Sequence, residues 1–281
     1  MSEAYGAIKP DEELRAPFRD WLAEKWTSER PGLTDLELGE FQLPKSGFSA
    51  KTIFVPVTYQ INGLSVSDKV VLRIENPEPA VYPQQAPGLD VEIEIQYRSM
   101  ELLEKTGKVP LAKPLGYESD HSVLGQPFFV MAFAKGDVMT EDPAYMEEGF
   151  FAEATPEDQR LIYRRGMQMM VDFHTINWKD AGFDWLVAPG EEPTVERQID
   201  VWESYMRREI RDRIHKDFDI GVEWLRKNLP TDLDPALSWG DSRPGNIIYS
   251  DNEVLAITDF ENIAVAPKEI DIGWWMLFDR T

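Results

Sequence analysis

A chain of 281 residues, 42% of them hydrophobic, is long enough to bury a sizeable core, which favours a globular protein over a disordered one. Its 51 acidic residues outnumber the 29 basic ones, and the net charge of −22 makes nucleic acids and anionic membranes poor partners. The absence of cysteine excludes disulfides, thiolate zinc sites and a cysteine nucleophile.

The N-terminal sequence MSEAYGAIKPDEEL lacks the basic and apolar regions of a signal peptide, and no apolar run reaches the roughly 20 residues that a membrane span requires. We therefore expect a cytoplasmic protein. Residues 11–26 carry apolar side chains at helical spacing, namely Leu14, Phe18, Trp21, Leu22 and Trp26. This pattern predicts an amphipathic helix, and Pro17 marks either a kink or the true start of that helix.

Three strand-like runs follow, at residues 36–43, 52–60 and 69–75. The second and third runs are separated by a turn that contains Asn62 and Gly63, a pair typical of a tight β-hairpin. The Pro-rich residues 76–88 predict a loop, and residues 89–105 predict a helix. The first part of the chain is therefore expected to form an antiparallel sheet.

The second part of the chain is predicted to be mainly helical. It follows an apolar strand within the segment QPFFVMAFAKGD, residues 126–137. Residues 155–175 place their apolar side chains on or near one helical face, and residues 194–228 predict a second helical stretch. Strands followed by helices in this order favour an α+β fold.

The stretch from Ser238 to Glu261, SWGDSRPGNIIYSDNEVLAITDFE, carries the candidate chemistry. Asn246 follows Asp241 by five residues, and Asp259 comes thirteen residues later, behind a β-like apolar run. In phosphoryl transfer, one carboxylate takes the proton of the attacking hydroxyl, while an Asn and a second carboxylate hold Mg²⁺ against the nucleotide phosphates. Each residue taken singly also suits an ordinary turn. The complete array favours phosphoryl transfer.

Protein kinases have HRDxxxxN followed by DFG, and this chain has WGDSRPGN followed by DFE. The pattern HGDxxxxN, a hydrophobic strand and then D-[WF]-E is closer, and Pro267 with Asp271 is similar to the P-x-x-x-D segment that comes next. The chain therefore resembles the aminoglycoside phosphotransferase and choline kinase-like family of small-molecule kinases. Trp239 stands where that family usually has His, and we expect it to support the loop.

The resemblance implies a two-lobed protein kinase-like fold. Residues 1–133 would form a nucleotide-binding lobe with a leading helix and an antiparallel sheet, and residues 134–281 a mainly helical lobe with the catalytic and metal loops. Family members continue for several helices beyond the metal aspartate, so we expect either that this chain is truncated at its C-terminus or that its acceptor site is unusually open. His174 lies in DFHTIN, similar to a family segment that supports the catalytic loop, and we expect it to be a hydrogen-bonded core residue.

The resemblance also implies roles within the motif. Asp241 would orient and deprotonate the acceptor hydroxyl, and Asn246 and Asp259 would hold Mg²⁺. Arg243 would either touch the transferred phosphoryl group or only brace the loop. Glu261 would support the metal ligands.

For the nucleotide, the resemblance implies ATP. Arg73 stands where a kinase has its phosphate-binding Lys, and its forked donors suit phosphate oxygens, although a solvated Arg on a strand face is the plain alternative. The acid that pairs with it would be Glu94, with Glu92 as a competitor. The backbone contacts to phosphates and adenine would come from Ser46, Gly47 and Ser49 in the loop PKSGFSAKT, and from Met131, Ala132 and Phe133.

The predicted activity is ATP-dependent transfer of the γ-phosphate to a hydroxyl of a small molecule, such as an aminoglycoside-like or other amino alcohol or sugar. The acidic surface would attract a cationic acceptor, although acidity also serves solubility alone. Two alternatives stay open: a pseudokinase that binds nucleotide without turnover, and a hydrolase that uses paired carboxylates on a metal. Mg²⁺-dependent ATP binding separates the kinase and the pseudokinase from the hydrolase. Turnover separates the kinase from the pseudokinase.

Overall fold

The structure, a computed structural model, describes residues 11–44, 50–78, 80, 82–211 and 213–278. In chain order its helices and strands are α1 (Asp11–Glu29), β1 (Leu33–Leu38), β2 (Lys51–Ile61), β3 (Leu64–Ile74), α2 (Glu92–Thr106), β4 (Pro114–Glu118), α3 (His121–Leu124), β5 (Phe128–Ala132), β6 (Asp137–Val138), α4 (Phe150–Glu153), α5 (Pro156–His174), α6 (Val195–Ile210), α7 (Lys216–Lys227), β7 (Pro235–Ser238), β8 (Ile247–Ser250), β9 (Glu253–Ile257), β10 (Ala264–Pro267) and α8 (Glu269–Phe278). Short 3₁₀ turns lie at Asp184–Leu186 and Pro244–Asn246.

The chain divides into two units. The first comprises Met1–Val81, Val91–Tyr97 and Ala112–Phe133, and the second comprises Tyr82–Asp90, Arg98–Leu111 and Ala134–Thr281. Two segments that precede residue 133 thus belong to the second unit. Their contacts explain why, since Gln85 exchanges side-chain hydrogen bonds with Gln198, and the Pro110 carbonyl accepts the N–H of Ile257.

The first unit is built on a five-stranded antiparallel sheet with the strand order β1-β2-β3-β5-β4. Alternate residues of β2 are buried, and they share one core with α1. That core includes the fully buried side chains Leu14, Phe18, Leu22, Trp26, Ile53, Val55, Leu72 and Val130. Each such side chain contributes about 1.5–3 kcal/mol through burial. The predicted apolar face of α1 is therefore confirmed, but the helix begins at Asp11, so Pro17 does not mark its start.

The strand bounds differ from the predicted ones where a turn sets the pairing. Asn62 and Gly63 both have positive φ, at 51° and 80°, as a tight hairpin turn with two left-handed residues requires. Pairing therefore begins directly at Ile61 and Leu64, and β3 starts five residues before the predicted Lys69. β1 likewise begins and ends earlier than predicted.

The helical stretch predicted over residues 194–228 is wrong as one element, because it forms two helices, α6 and α7. Arg211 adopts a positive φ of 52° after the last residue of α6, which stops the helical hydrogen bonding. His215 then caps α7, where its Nδ1 accepts the N–H of Phe218 at 3.3 Å. A side chain that caps a helix start favours a new helix over continuation of the first.

The second unit also contains two small antiparallel sheets, one formed by β7 and β10 and the other by β6, β8 and β9. β8 and β9 are joined by a turn at Asp251 and Asn252, which both have positive φ. A sheet of five antiparallel strands in one unit and mainly helices in the other confirm the predicted α+β class. Within the described ranges, no helix combines the length and the apolar composition needed to cross a membrane.

Candidate active site

Two loops that carry predicted site residues lie side by side because the strands that flank them are paired. Residues 239–246 connect β7 to β8, and residues 258–263 connect β9 to β10. Ser238 pairs with Ala264 at one end of the loops. Ile247 pairs with Ile257 at the other end. We call residues 239–246 the catalytic loop and residues 258–263 the metal loop, after their predicted roles.

Four hydrogen bonds join the two loops, one of them from the Thr258 hydroxyl to the carbonyl of Asn246 at 3.3 Å. The indole Nε1 of Trp239 donates to the carbonyl of Thr258 at 2.9 Å, and the Thr258 N–H donates to the carbonyl of Asn246 at 2.9 Å. Asn262 Nδ2 donates to the Gly240 carbonyl at 3.1 Å. Trp239 is fully buried. Trp239 therefore supports the loop, as predicted.

Asp271 in α8 holds the start of the catalytic loop. Its fully buried carboxylate accepts the N–H groups of Trp239 and Gly240 and the hydroxyl of Ser238, at 2.8–2.9 Å. His174 Nε2 lies 2.8 Å from the same carboxylate. The prediction that His174 is a hydrogen-bonded core residue is confirmed. The role of Asp271 was missed, although the P-x-x-x-D spacing had marked it.

Gly240 occupies a position that only glycine fits. Its φ is +86°, and a Cβ built there would lie 1.9 Å from the carbonyl oxygen of Asn262. A side chain therefore adds both backbone strain and a collision with the metal loop.

We expect Gly240→Ala to lower the free energy of unfolding by about 2–5 kcal/mol, because strain and overpacking add. Gly190→Ala is the matched control, since Gly190 has a φ of +85° but nothing within 4 Å of an added Cβ. The control should lose only about 1–2 kcal/mol in urea denaturation. Equal losses in the two variants would show that the collision with Asn262 costs nothing.

The carboxylate of Asp241 is held by three donors. Its Oδ2 accepts Arg243 Nε at 3.0 Å and Asn246 Nδ2 at 2.7 Å, and its Oδ1 accepts Trp274 Nε1 at 2.7 Å. The residue is only 1% exposed. These contacts fix the orientation of the carboxylate, which a group that accepts a proton in a defined direction needs. Trp274 was missed as a site residue because it lies 33 residues away along the chain.

Arg243 lies between two carboxylates, those of Asp241 and Glu141. Burial by itself lowers the pKa of Arg243, but the two negative charges outweigh burial and raise it. The guanidinium therefore stays charged at any pH at which the protein is folded. Its contact with Asp241 agrees with the bracing role that was one of the two predicted alternatives.

Tyr82 is a site residue that sequence reasoning assigned only to a Pro-rich loop. Burial raises the pKa of its phenol, and the charge of Asp241 raises it further, with smaller contributions from Glu261 and Asp259. The phenol therefore lies within electrostatic range of residues from both loops. Its ring also makes an edge contact with Trp274, at a centroid distance of 6.3 Å.

The oxygen donors of Asn246 and Asp259 fit Mg²⁺. Asn246 Nδ2 donates to the carbonyl and to the carboxylate of Asp241, so the amide oxygen is not used in those bonds. Asp259 directly follows Thr258, whose N–H donates to the carbonyl of Asn246. The two predicted ligands therefore lie on hydrogen-bonded backbone segments. In the part of the chain that the structure describes, no group of three or more His, Asp or Glu side chains could hold a metal ion. Mg²⁺ commonly binds through one or two carboxylates together with substrate phosphates and water, which suits this sparse set.

In the first unit, the predicted acidic partners of Arg73 lie in the first turn of α2, and a further acid, Glu75, directly follows β3. Arg73 is 8% exposed, so it is not the solvated Arg of the plain alternative. The hydroxyl of Tyr117 donates to Glu94 at 3.1 Å, and Glu92 is buried. Glu75, which was not predicted, accepts the N–H groups of Glu92 and Ile93 at the start of α2.

We expect the stability of the protein to depend on the charge of Glu75. Burial raises the pKa of this carboxyl group, against the opposing effects of its two N–H donors and of Arg73. Since the folded pKa lies above the unfolded one, the unfolded state ionises first, and the free energy of unfolding falls as pH rises through the interval between them. Glu75→Gln should therefore show a smaller fall in the free energy of unfolding between pH 4 and pH 7, as measured by urea denaturation. An unchanged pH dependence would contradict this assignment.

The predicted adenine contacts lie at the end of β5. The N–H groups of Ala132 and Phe133 donate to the carbonyls of Lys113 and Lys69, at 2.9 Å and 3.2 Å. These two donors are therefore occupied within the first unit, so an adenine contact there would use a carbonyl oxygen or replace one of these bonds. Met131 is half-buried in the same strand. The predicted phosphate loop residues Ser46, Gly47 and Ser49 lie outside the described residues.

The chain is similar in sequence to known proteins over most of its length. The sequence profile described as the phosphotransferase enzyme family matches residues 46–281. Human acyl-CoA dehydrogenase family member 11 is 24% identical over 276 residues, which cover 89% of this chain and 33% of that protein. The probable acyl-CoA dehydrogenase IBR3 of Arabidopsis thaliana is 26% identical over 216 residues, covering 73% of this chain and 24% of that protein. The chain thus spans a third or less of the length of these relatives.

Solved structures show the same fold. A putative aminoglycoside phosphotransferase from Ralstonia eutropha superposes with a TM-score of 0.63 at 22% identity, covering 92% of this chain and 69% of that one. The streptomycin–ATP complex of APH(2")-IIa gives a TM-score of 0.55 at 12% identity, with coverage of 98% and 81%. These similarities confirm the predicted two-lobed, kinase-like fold class, and the profile match confirms the predicted family. The chain belongs to the phosphotransferase enzyme family.

Proposed function

We propose that this protein transfers the γ-phosphoryl group of ATP to a hydroxyl group of a small molecule. The observation that carries the proposal is the carboxylate of Asp241, which three donors hold in a fixed orientation beside Asn246. The match of residues 46–281 to the phosphotransferase enzyme family supports phosphoryl transfer over a hydrolase that uses paired carboxylates on a metal. A general base that is fixed by neighbouring donors is the arrangement that phosphoryl transfer to a hydroxyl requires.

In the proposed reaction, the oxygen of the acceptor hydroxyl forms a bond to the γ-phosphorus of ATP. The bond between that phosphorus and the β–γ bridging oxygen breaks, and ADP leaves with the electron pair. Asp241 accepts the proton of the hydroxyl. Arg243 holds Asp241 from the Oδ2 side and adds a positive charge near the transferred group.

Asn246 and Asp259 would bind Mg²⁺, which neutralises charge on the nucleotide phosphates when it is bound. Glu261 is buried in the same metal loop, where it would support Asp259. In the first unit, Arg73 would bind nucleotide phosphates and Glu94 or Glu92 would hold it in place. Backbone groups near Met131, Ala132 and Phe133 and in the loop with Ser46, Gly47 and Ser49 would contact the nucleotide.

The test is ATP consumption with and without Mg²⁺ over a panel of alcohols. The panel contains amino sugars, aminoglycosides, choline-like alcohols and neutral sugars, and also hydroxyacyl thioesters because the curated relatives carry the name acyl-CoA dehydrogenase. We expect acceptor-dependent ADP formation that chelation of Mg²⁺ by EDTA abolishes. Mg²⁺-dependent ATP binding without turnover on any acceptor would favour the pseudokinase. A cytoplasmic location stays a prediction.

A further inference from the structure

A cavity of about 160 Å³ lies in the second unit, next to the candidate base. Its walls include the rings of Trp202 and Trp274 and the small side chains of Ala264 and Ala266. Trp274 connects this cavity to Asp241, because its Nε1 donates to the Asp241 carboxylate while its ring lines the cavity. An acceptor whose hydroxyl reaches Asp241 can therefore extend along Trp274 into the cavity.

The described residues that line the cavity carry no charge. The polar ones include the amides of Gln85 and Gln198, which satisfy each other through two hydrogen bonds of 3.1 Å. An ammonium group placed there would give up hydration without an ion pair to any lining side chain, which costs up to several kcal/mol. The cavity therefore favours a neutral group over a cationic one.

Asn262 supplies a specific polar contact in this cavity. It is 4% exposed, and its Nδ2 donates to the Gly240 carbonyl, which identifies the remaining amide atom as the acceptor Oδ1. That oxygen is buried, and no donor reaches it among the residues that the structure describes. A buried acceptor without a donor costs about 1–3 kcal/mol, so a ligand that brings a donor recovers this free energy.

We propose that the cavity is a subsite for one arm of the acceptor, and that this arm is neutral, mainly apolar and carries one hydrogen-bond donor for Asn262 Oδ1. The inference rests on the proposed function and names its substrate class. A volume of about 160 Å³ holds roughly five groups of the size of a water molecule, so the arm is short. Polycationic amino sugars do not meet this description.

Three alcohols of matched design test the subsite. N-acetyl-4-amino-1-butanol has a neutral arm with one N–H donor, 4-hydroxybutyl acetate has the isosteric ester without a donor, and 4-amino-1-butanol has a cationic arm. We expect kcat/KM for the amide to be at least tenfold higher than for the amine. It should be about fivefold higher than for the ester, which is the range of one hydrogen bond. Equal values, or a preference for the amine, would overturn the subsite.

Variants in the cavity wall provide the second readout. Ala266→Leu fills the cavity, and the preference for the amide over the amine should fall to about one. Ala264→Val narrows the same wall from a second position, so it replaces Ala266→Leu if that variant does not fold, as judged by thermal unfolding. A preference that survives both variants would show that the arm binds elsewhere.

The failure of this inference can be told apart from failure of the proposed function. Phosphorylation of all three alcohols at one rate supports the kinase and overturns only the subsite. If no alcohol reacts, N-butylacetamide, which has the arm without the hydroxyl, is titrated while tryptophan fluorescence is recorded. The subsite is supported if N-butylacetamide quenches the wild type saturably and if Ala266→Leu weakens this binding at least tenfold. The absence of saturable quenching in the wild type overturns the subsite.

Discussion

Asp241→Ala is expected to lower acceptor-dependent turnover by about 10²–10⁴-fold, the usual contribution of a general base. The variant should still bind ATP, because Arg73 and residues 131–133, which are proposed to contact the nucleotide directly, lie in the first unit. The measurement is the rate of ADP formation with a saturating acceptor, together with the ATP dissociation constant from calorimetry. Loss of turnover with retained binding would separate proton transfer from nucleotide binding.

The size of this effect depends on how the carboxylate is held. Asn246, Arg243 and Trp274 all donate to it, so the alanine variant loses the base and also the acceptor that orders these three side chains. Trp274→Phe separates the two contributions, since it removes one donor and keeps a smaller aromatic ring. We expect Trp274→Phe to lower kcat far less than Asp241→Ala does.

Asp234→Ala is the matched control for Asp241→Ala. Asp234 is an exposed aspartate that precedes β7 in the same unit, so its loss changes the net charge equally. Its turnover should match that of the wild type. If Asp241→Ala kept near wild-type turnover, Asp241 would not be the base, and the assignment of the catalytic loop would be wrong.

The residues of the two loops could be predicted from the sequence because the array Asp241, Asn246 and Asp259 is local to 19 residues and its spacing is set by a short hairpin. The elements with strong periodicity, such as α1 and β2, could also be predicted, since their apolar side chains repeat at helical or strand spacing. The start of α7 was missed because a cap formed by a His side chain has a weaker sequence signal than Ser, Thr or Asp.

Long-range contacts account for the rest of what sequence reasoning missed. Tyr82 lies in a Pro-rich loop with no periodicity, and only folding brings its phenol near Asp241. Trp274 had no predicted role, because nothing in the sequence shows that its indole meets a carboxylate 33 residues away. The unpaired oxygen of Asn262 is likewise a property of packing, which no sequence pattern displays.

Asp271→Ala is expected to lower the free energy of unfolding by about 3–5 kcal/mol, because it leaves several buried donors without an acceptor. Those donors are the N–H groups of Trp239 and Gly240 and the hydroxyl of Ser238, and His174 Nε2 also loses its contact with the carboxylate. A hydroxyl can rotate toward another acceptor, whereas the two backbone N–H groups are fixed by the loop. Most of the loss should therefore come from the backbone.

A graded series separates this network from a general effect of removing a buried charge. Ser238→Ala removes one donor and keeps the carboxylate, so it should cost only about 1 kcal/mol in urea denaturation. Asp271→Asn keeps the shape of the side chain but turns an NH₂ group toward one of the donors. Its loss in the free energy of unfolding should therefore lie between those of Ser238→Ala and Asp271→Ala. Because the same carboxylate holds the loop that presents Asp241, turnover should decline in the same order as stability. A stable Asp271→Ala variant with wild-type turnover would show that the catalytic loop is held by its contacts with the metal loop alone.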